Sequence, residues 1–134
     1  MGSAARLFGI LGAVLAGLAV AAGAFGAHAL REAIPADRLD VFETAARYQM
    51  YHALGLLAVA WIIERRPSRL AGFAGGVFAL GILVFSGSLY LLSVTGLRWL
   101  GAITPIGGVL FLSGWASLAW AIGTSARPAA DPGR

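Results

Sequence analysis

Four long apolar runs alternate with short polar segments along this chain. The runs cover roughly residues 7–30, 42–63, 70–94 and 101–123, and none carries Lys, Asp or Glu in its middle. About 20 apolar residues suffice for a helix to span the hydrocarbon core of a bilayer. Spanning segments must satisfy their own backbone hydrogen bonds, which favours helices over open sheets. The pattern therefore predicts an all-α, polytopic membrane protein built as a four-transmembrane-helix bundle.

The polar segments between the runs predict where the helices end. We predict helices over about 7–30, 41–64, 69–94 and 101–123, in a single domain over 1–125, with a loose polar tail over 126–134. The first run has an alternative interpretation, because Ala27-His28-Ala29 fits the cleavage site of a secretory signal peptide. That run is long for a signal peptide and three more follow, so a retained first helix is favoured.

The distribution of arginines predicts the orientation. In a four-span arrangement one side carries Arg6, Arg65, Arg66, Arg69, Arg127 and Arg134, and the other side carries Arg31, Arg38, Arg47 and Arg98. Cytoplasmic loops carry the excess of basic residues. We therefore expect both termini and the middle loop to be cytoplasmic (N-in/C-in), with the chain integral to the plasma (inner) membrane as a multi-pass protein.

The composition excludes several classes of function. The chain is 59% hydrophobic and 12% charged, and it has no cysteine, which rules out disulfides and thiolate chemistry. The net charge of +4 comes from arginines at the predicted helix ends, so it does not indicate nucleic-acid binding. The sequence contains no nucleophile elbow, phosphate-binding loop or zinc-protease motif. We accordingly predict no enzymatic activity, no cofactor and no metal; the bilayer itself is an expected partner.

Small residues recur on two of the predicted helices. They form a stripe at a spacing of four on the first helix (Gly9, Ala13, Gly17 and Ala21) and a shorter one on the third (Gly72 and Gly76). Such stripes let helices approach closely in a membrane. They predict packing against a membrane-protein partner or a second copy of the chain.

Polar side chains from all four helices are expected in the outer half of the membrane. This predicted cluster comprises His28, Glu43, Arg47, Tyr48, Gln49, His52, Tyr90 and Thr104. Glu43 and Arg47 are four residues apart, so we expect them to pair on one helix face. Ionisable groups at membrane depth are costly and usually face protein or water.

Three interpretations of the cluster remain open. The first is structural, with polar groups that neutralise one another and bond across helices. The second is a binding site for a quinone-like or lipid head group or a small solute, with Arg47, His52 and Tyr90 as donors. The third is a metal or haem site on His28 and His52, although zinc usually needs three or four ligands.

Two segments of this sequence resemble a known family. The two segments are Gly23-Ala24-Phe25-Gly26-Ala27-His28-Ala29-Leu30 and residues 42–54 (FETAARYQMYHAL). Two shorter segments share the resemblance: Gly-Ser-Leu-Tyr at 87–90 and Thr-Pro-Ile-Gly-Gly at 104–108. Together they are similar to the small YgdD-like membrane proteins. That family is catalogued as domain of unknown function 423, and transmembrane protein 256 is its animal relative. The resemblance implies an inner-membrane protein of about four helices and no particular activity. We expect first a non-enzymatic accessory component, and alternatively a lipid-, quinone- or small-molecule-binding protein.

Overall fold

The computed structural model describes residues 1–124, and these form helices joined by short connections. The helices are α1 (Ser3–Phe25), which continues into a π-helical turn (Gly26–Leu30), α2 (Ala36–Arg65), α3 (Arg69–Gly81), a second π-helical turn (Ile82–Ser86), α4 (Gly87–Thr95), a 3₁₀ turn (Arg98–Ala102) and α5 (Thr104–Gly123). The predicted all-α class is therefore confirmed for this part of the chain. The tail predicted over residues 126–134 lies outside the described residues.

Local sequence signals explain where the helices begin and end. α2 begins directly after Pro35, and Asp37 in its first turn complements the positive end of the helix dipole. The Ser68 hydroxyl accepts a hydrogen bond from the Ala71 amide and caps α3. α5 carries Pro105 in its first turn, where no backbone donor is needed. α4 ends at Thr95 and is followed by Gly96, whose φ of 74° is in the left-handed region that favours glycine.

α2 lies at the centre of the bundle. α1 packs along one side of it, α3 and α4 pack along the other, and α5 packs against α3 and the second π-helical turn. The Glu64 carboxylate at the end of α2 accepts a hydrogen bond from the Gly2 amide (3.0 Å), so α1 and α2 run antiparallel over their whole length. The core consists of apolar side chains from α2, α3, α5 and the second π-helical turn: Leu56, Val59, Ala71, Ala74, Phe78, Ile82, Phe111, Leu118 and Ala121.

Glycines at specific positions permit the close packing of these helices. A Cβ atom at Gly12 would lie 2.8 Å from the Ala53 carbonyl oxygen on α2. A Cβ atom at Gly107 would lie 2.5 Å from the backbone nitrogen of Phe85. Both distances are below ordinary van der Waals contact, so α1 and α5 could not approach their neighbours this closely with a side chain at these positions.

The predicted small-residue stripes are not the ones that pack within the chain. Gly17, Gly72 and Gly76 have nothing within 4 Å of a Cβ atom built on them, and Ala13 and Ala21 are exposed. Of the predicted set, Gly9 alone approaches another helix, with its Cβ position 3.7 Å from the Ala60 Cβ. The stripes therefore face outward, and their role in packing against another protein stays a prediction.

Within the described residues, three helical stretches are long and apolar enough to cross a membrane. They are Ser3–Leu30, Arg69–Thr95 and Arg98–Gly123. α2 has the length, at 30 residues, but it is not among the three. Arg47, Gln49 and His52 lower the hydropathy of its middle; Gln49 and His52 are buried there against neighbouring helices, whereas Arg47 is exposed.

Candidate functional site

His52 is a buried imidazole whose two ring nitrogens are both bonded within the protein. It lies near the middle of α2 and is 4% exposed. The Trp115 indole Nε1 donates to His52 Nε2 over 3.1 Å. Since Nε2 accepts, Nδ1 carries the proton and donates to the Tyr48 carbonyl oxygen over 2.7 Å. The two bonds fix a neutral imidazole in one tautomer and one orientation and tie α2 to α5.

Aromatic rings surround this imidazole. The Phe111 ring is stacked on it, with centroids 3.3 Å apart and planes at 6°. Tyr48 stacks on Phe85 (centroids 4.7 Å apart), and Phe78 packs against Trp115 at 4.8 Å. Aromatic pairs of this kind add to the stability that burial alone provides. α2, α3, the second π-helical turn and α5 thus build one continuous aromatic wall.

The aromatic wall forms the inner side of a pocket that opens at the surface between α2 and α5. The pocket has a volume of about 630 Å³. We call it the aromatic pocket. It is lined by Tyr48, Tyr51, His52, Phe85, Pro105, Gly108, Val109, Phe111, Leu112 and Trp115. The volume and the apolar lining with a few polar groups are typical of sites for small organic ligands.

The free polar groups of the aromatic pocket are two phenol hydroxyls. Tyr48 and Tyr51 lie on consecutive turns of α2, with ring centroids 5.7 Å apart and side chains 39% and 53% exposed. Over residues 1–124, neither hydroxyl has a hydrogen-bond partner in the protein, whereas both nitrogens of His52 are engaged. A ligand in the pocket would therefore meet two O–H donors at its edge and aromatic faces along its length.

A separate polar contact joins α1, α2 and α4. Gln49 is 6% exposed; its Nε2 donates to the Leu15 carbonyl oxygen (2.8 Å) and its Oε1 accepts from the Tyr90 hydroxyl (3.0 Å). The Tyr90 ring packs edge-on against Phe42, with centroids 4.9 Å apart. Two of the predicted cluster residues, Gln49 and Tyr90, are thus brought together, in a structural arrangement that satisfies both.

Hydroxyl groups join the remaining helices. Ser88 and Thr104 hydrogen-bond at 2.8 Å between α4 and α5. The Ser86 hydroxyl, 1% exposed in the second π-helical turn, donates to the Ala45 carbonyl oxygen of α2 over 2.9 Å. Such π-helical turns shift the register of a helix and often occur at functional sites. Here the turn aims Ser86 at α2 and places Phe85 in the aromatic pocket.

The predicted pairing of Glu43 with Arg47 is wrong. The Arg47 guanidinium donates to the Thr44 hydroxyl over 3.2 Å, and no ion pair joins it to Glu43 in the described part of the chain. Both side chains line a groove between α1 and α2, away from the aromatic pocket. A spacing of four residues made the pair sterically feasible, but the neighbouring hydroxyl competes for the guanidinium.

The predicted single outer cluster is instead divided among different faces of α2. Gln49 faces α1 and α4, Tyr48 and His52 face α5, and Glu43 and Arg47 face the α1–α2 groove. His28 is exposed in the first π-helical turn and contributes to none of these sites. The described residues contain no group of three or more side chains that could ligate a metal ion.

The sequence prediction missed the α5 side of the site. Trp115 and Phe111 supply the hydrogen bond and the stacked ring for His52, yet both stand in a run that resembles an ordinary lipid-facing helix. Their spacing of four residues, with Gly107 one turn earlier, was the available signal, because it places two rings and a close-contact glycine on one helix face.

Comparison with known sequences identifies the family. The profile of the family described as "Protein of unknown function (DUF423)" matches residues 22–108. A UPF0382 membrane protein of Staphylococcus saprophyticus is 52% identical over 113 residues, covering 84% of this chain and 93% of the relative. The UPF0382 membrane protein YwdK of Bacillus subtilis is 50% identical over 115 residues, covering 82% and 90%. No solved structure matches. The chain therefore belongs to the DUF423 family of membrane proteins.

Proposed function

We propose that this member of the DUF423 family is a non-enzymatic, multi-pass protein of the plasma (inner) membrane that binds a lipid-soluble ring compound of the quinone class in its aromatic pocket. The observation that carries the proposal is the pocket itself: about 630 Å³, walled by stacked rings and edged by two unpartnered phenols. A quinone head group has flat faces for the rings and carbonyl oxygens that accept from O–H donors.

The fixed imidazole supports binding and not catalysis. Both nitrogens of His52 are engaged with Trp115 and Tyr48, so a bound molecule meets no free base. In our proposal His52 holds Trp115 and Phe111 in place, while the Tyr48 and Tyr51 hydroxyls bind the ligand. This role modifies the donor set expected from the sequence, because Arg47 and Tyr90 line other cavities.

The proposal includes four spans with both termini cytoplasmic. α2 would be about 45 Å long, which exceeds a bilayer core. Its buried polar side chains, Gln49 and His52, are bonded to neighbouring helices and so are not exposed to lipid. The Glu64–Gly2 contact places the start of α1 beside the arginine-rich middle loop, in agreement with the arginine bias.

Native mass spectrometry of the full chain in mild detergent tests the pocket, with decylubiquinone as the added probe. We expect one bound probe per chain and its loss in Gly108→Leu, because Gly108 lines the pocket with open space in front of it. Gly76→Leu is the matched control, since Gly76 also has open space but lies outside the pocket. Equal probe binding by Gly108→Leu and the wild type would disprove the proposal.

A second candidate, an accessory component bound to another membrane protein, is favoured by the outward glycines. Gly72 and Gly76 on α3 present a surface without side chains and have nothing within 4 Å. Close approach of a partner helix is the known use of such surfaces. In this case Gly76→Leu should release a stoichiometric partner that Gly108→Leu retains, so the same two variants distinguish the two candidates.

A further inference from the structure

Two charged side chains of α2 face outward beside α1. Glu43 is half-buried and Arg47 is exposed, and both line a groove of about 280 Å³ between the two helices. The floor of the groove is made by small or flexible side chains: Ala19, Gly23, Ala46 and Met50. A copy of this surface could therefore approach closely, because little side-chain bulk stands in its way.

Neither charge is neutralised within the described part of the chain. Arg47 bonds to the Thr44 hydroxyl, and among residues 1–124 the recorded ion pair joins the Met1 amino group to Glu64. Arginine and glutamate in a spanning helix normally face a partner of opposite charge or water. Glu43 and Arg47 therefore lack on their own surface the partners that their position demands.

Beyond these charges, towards the C-terminal end of α2, the exposed residues of the helix follow a coiled-coil spacing. Residues at alternating intervals of four and three share this face: Glu43, Arg47, Met50, Leu54, Leu57 and Trp61. Leu54 is 52% exposed and Trp61 is 60% exposed, although α2 is otherwise the most enclosed helix. An apolar heptad seam with charges at one end is the pattern of a helix that packs against a like helix.

We infer that a second copy of this chain docks on this α1–α2 face, and that Glu43 of each copy accepts hydrogen bonds from Arg47 of the other. Two copies inserted in the same orientation are related by a two-fold axis along the membrane normal, so both pairs form at once. The two residues are about 6 Å apart along the helix axis, which a long arginine side chain can bridge.

This inference goes beyond the proposed function and does not depend on it. The α1–α2 groove and the aromatic pocket share no lining residue. A dimer with an empty pocket and a monomer with an occupied pocket are distinct outcomes, so failure of one proposal leaves the other standing.

Cysteine cross-linking in native membranes provides the first test. The chain has no cysteine, so each single-cysteine variant reports on one position only. We expect Leu54→Cys to form a disulfide-linked dimer under mild oxidation. Leu83→Cys, which is 70% exposed on the second π-helical turn, is the matched control and should remain monomeric. Equal cross-linking at both positions, or none at Leu54→Cys, would overturn the inference.

Charge reversal in the Leu54→Cys background provides the second test. Glu43→Arg or Arg47→Glu alone places like charges opposite each other and should reduce the dimer fraction about tenfold. The combined Glu43→Arg/Arg47→Glu variant should restore the dimer, because the swapped charges are again complementary. If a reversed variant fails to accumulate, Glu43→Gln and Arg47→Gln replace it and should weaken the dimer in the same direction. Unchanged cross-linking in the single variants, or no recovery in the double variant, contradicts the pairing.

Discussion

Gly107→Ala should destabilise the bundle far more than Gly108→Ala, although the two residues are neighbours on α5. A Cβ atom at Gly107 would lie 2.5 Å from the Phe85 nitrogen and 2.8 Å from its Cα, which is about 0.9 Å and 0.6 Å short of the 3.4 Å of ordinary contact. Both atoms belong to the backbone, so no rotamer change can relieve the clash and α5 must move outward. Overpacking of this kind costs about 1–3 kcal/mol.

The displacement of α5 should also weaken contacts on either side of Gly107. The Ser88–Thr104 hydrogen bond (2.8 Å) and the His52–Phe111 stack both join α5 to the rest of the bundle. Loss of the hydrogen bond adds about 1 kcal/mol, which gives about 2–4 kcal/mol in all. A Cβ atom at Gly108 meets nothing within 4 Å, so Gly108→Ala should change stability by no more than about 1 kcal/mol.

Reversible unfolding in mixed detergent micelles, followed by circular dichroism, measures the difference between these two variants. Trp115 fluorescence, read in a background where the other tryptophans are replaced by phenylalanine, reports whether the aromatic wall is disturbed. If Gly107→Ala and Gly108→Ala unfold at the same point, the packing of α5 on the second π-helical turn is not as close as the structure indicates, and the reasoning fails.

Three further predictions concern single contacts and the topology. Trp115→Phe should lower the free energy of unfolding by about 1–3 kcal/mol in the same assay, because it leaves Nε2 of His52 buried without a hydrogen-bond donor. Adding His52→Phe should recover part of that loss. Gln49→Leu should lower the free energy of unfolding by a similar amount, because it removes the hydrogen bond to the Leu15 carbonyl of α1 and leaves the Tyr90 hydroxyl of α4 without its acceptor; an unfolding midpoint equal to wild type would show that these bonds do not stabilise the bundle. Single cysteines at Glu32 and Pro67 should react with membrane-impermeant maleimide from opposite sides of the membrane; labelling of both from one side would show that α2 does not span it.

The helical class of the described residues was predictable from the chain, because long apolar runs favour helices that can cross a membrane. The all-α class follows from the four runs, and the Gln49–Tyr90 contact joins two residues that had been placed in one cluster. The partner of each polar group on α2 was not predictable, since it depends on how the helices rotate about their axes. Arg47 shows the difficulty: a favourable spacing indicated Glu43, while an adjacent threonine hydroxyl binds the guanidinium instead.

The packing glycines show the same limit for apolar contacts. A regular stripe ending at Gly17 and Ala21 was the visible signal, yet Gly12 and Gly107 make the close approaches. Composition alone cannot distinguish a glycine that admits a neighbouring helix from one that faces outward, because both have the same side chain. The distinction arises from what lies opposite the glycine, such as the Phe85 backbone opposite Gly107, and that segment is distant in sequence.

The central position of α2 explains how one helix can carry most of the polar chemistry of a membrane protein. An isolated helix with Gln49 and His52 in its middle would expose hydrogen-bonding groups to lipid, at a cost of several kcal/mol. Here α1, α4 and α5 supply a partner for each of these groups, so the polar side chains join helices that apolar contact alone would hold weakly. The groups left without such partners are the phenols at the aromatic pocket and the charges of the α1–α2 face. Since every buried polar side-chain atom of the described residues is satisfied, it is to these outward-facing groups that our two proposals assign a ligand and a second chain.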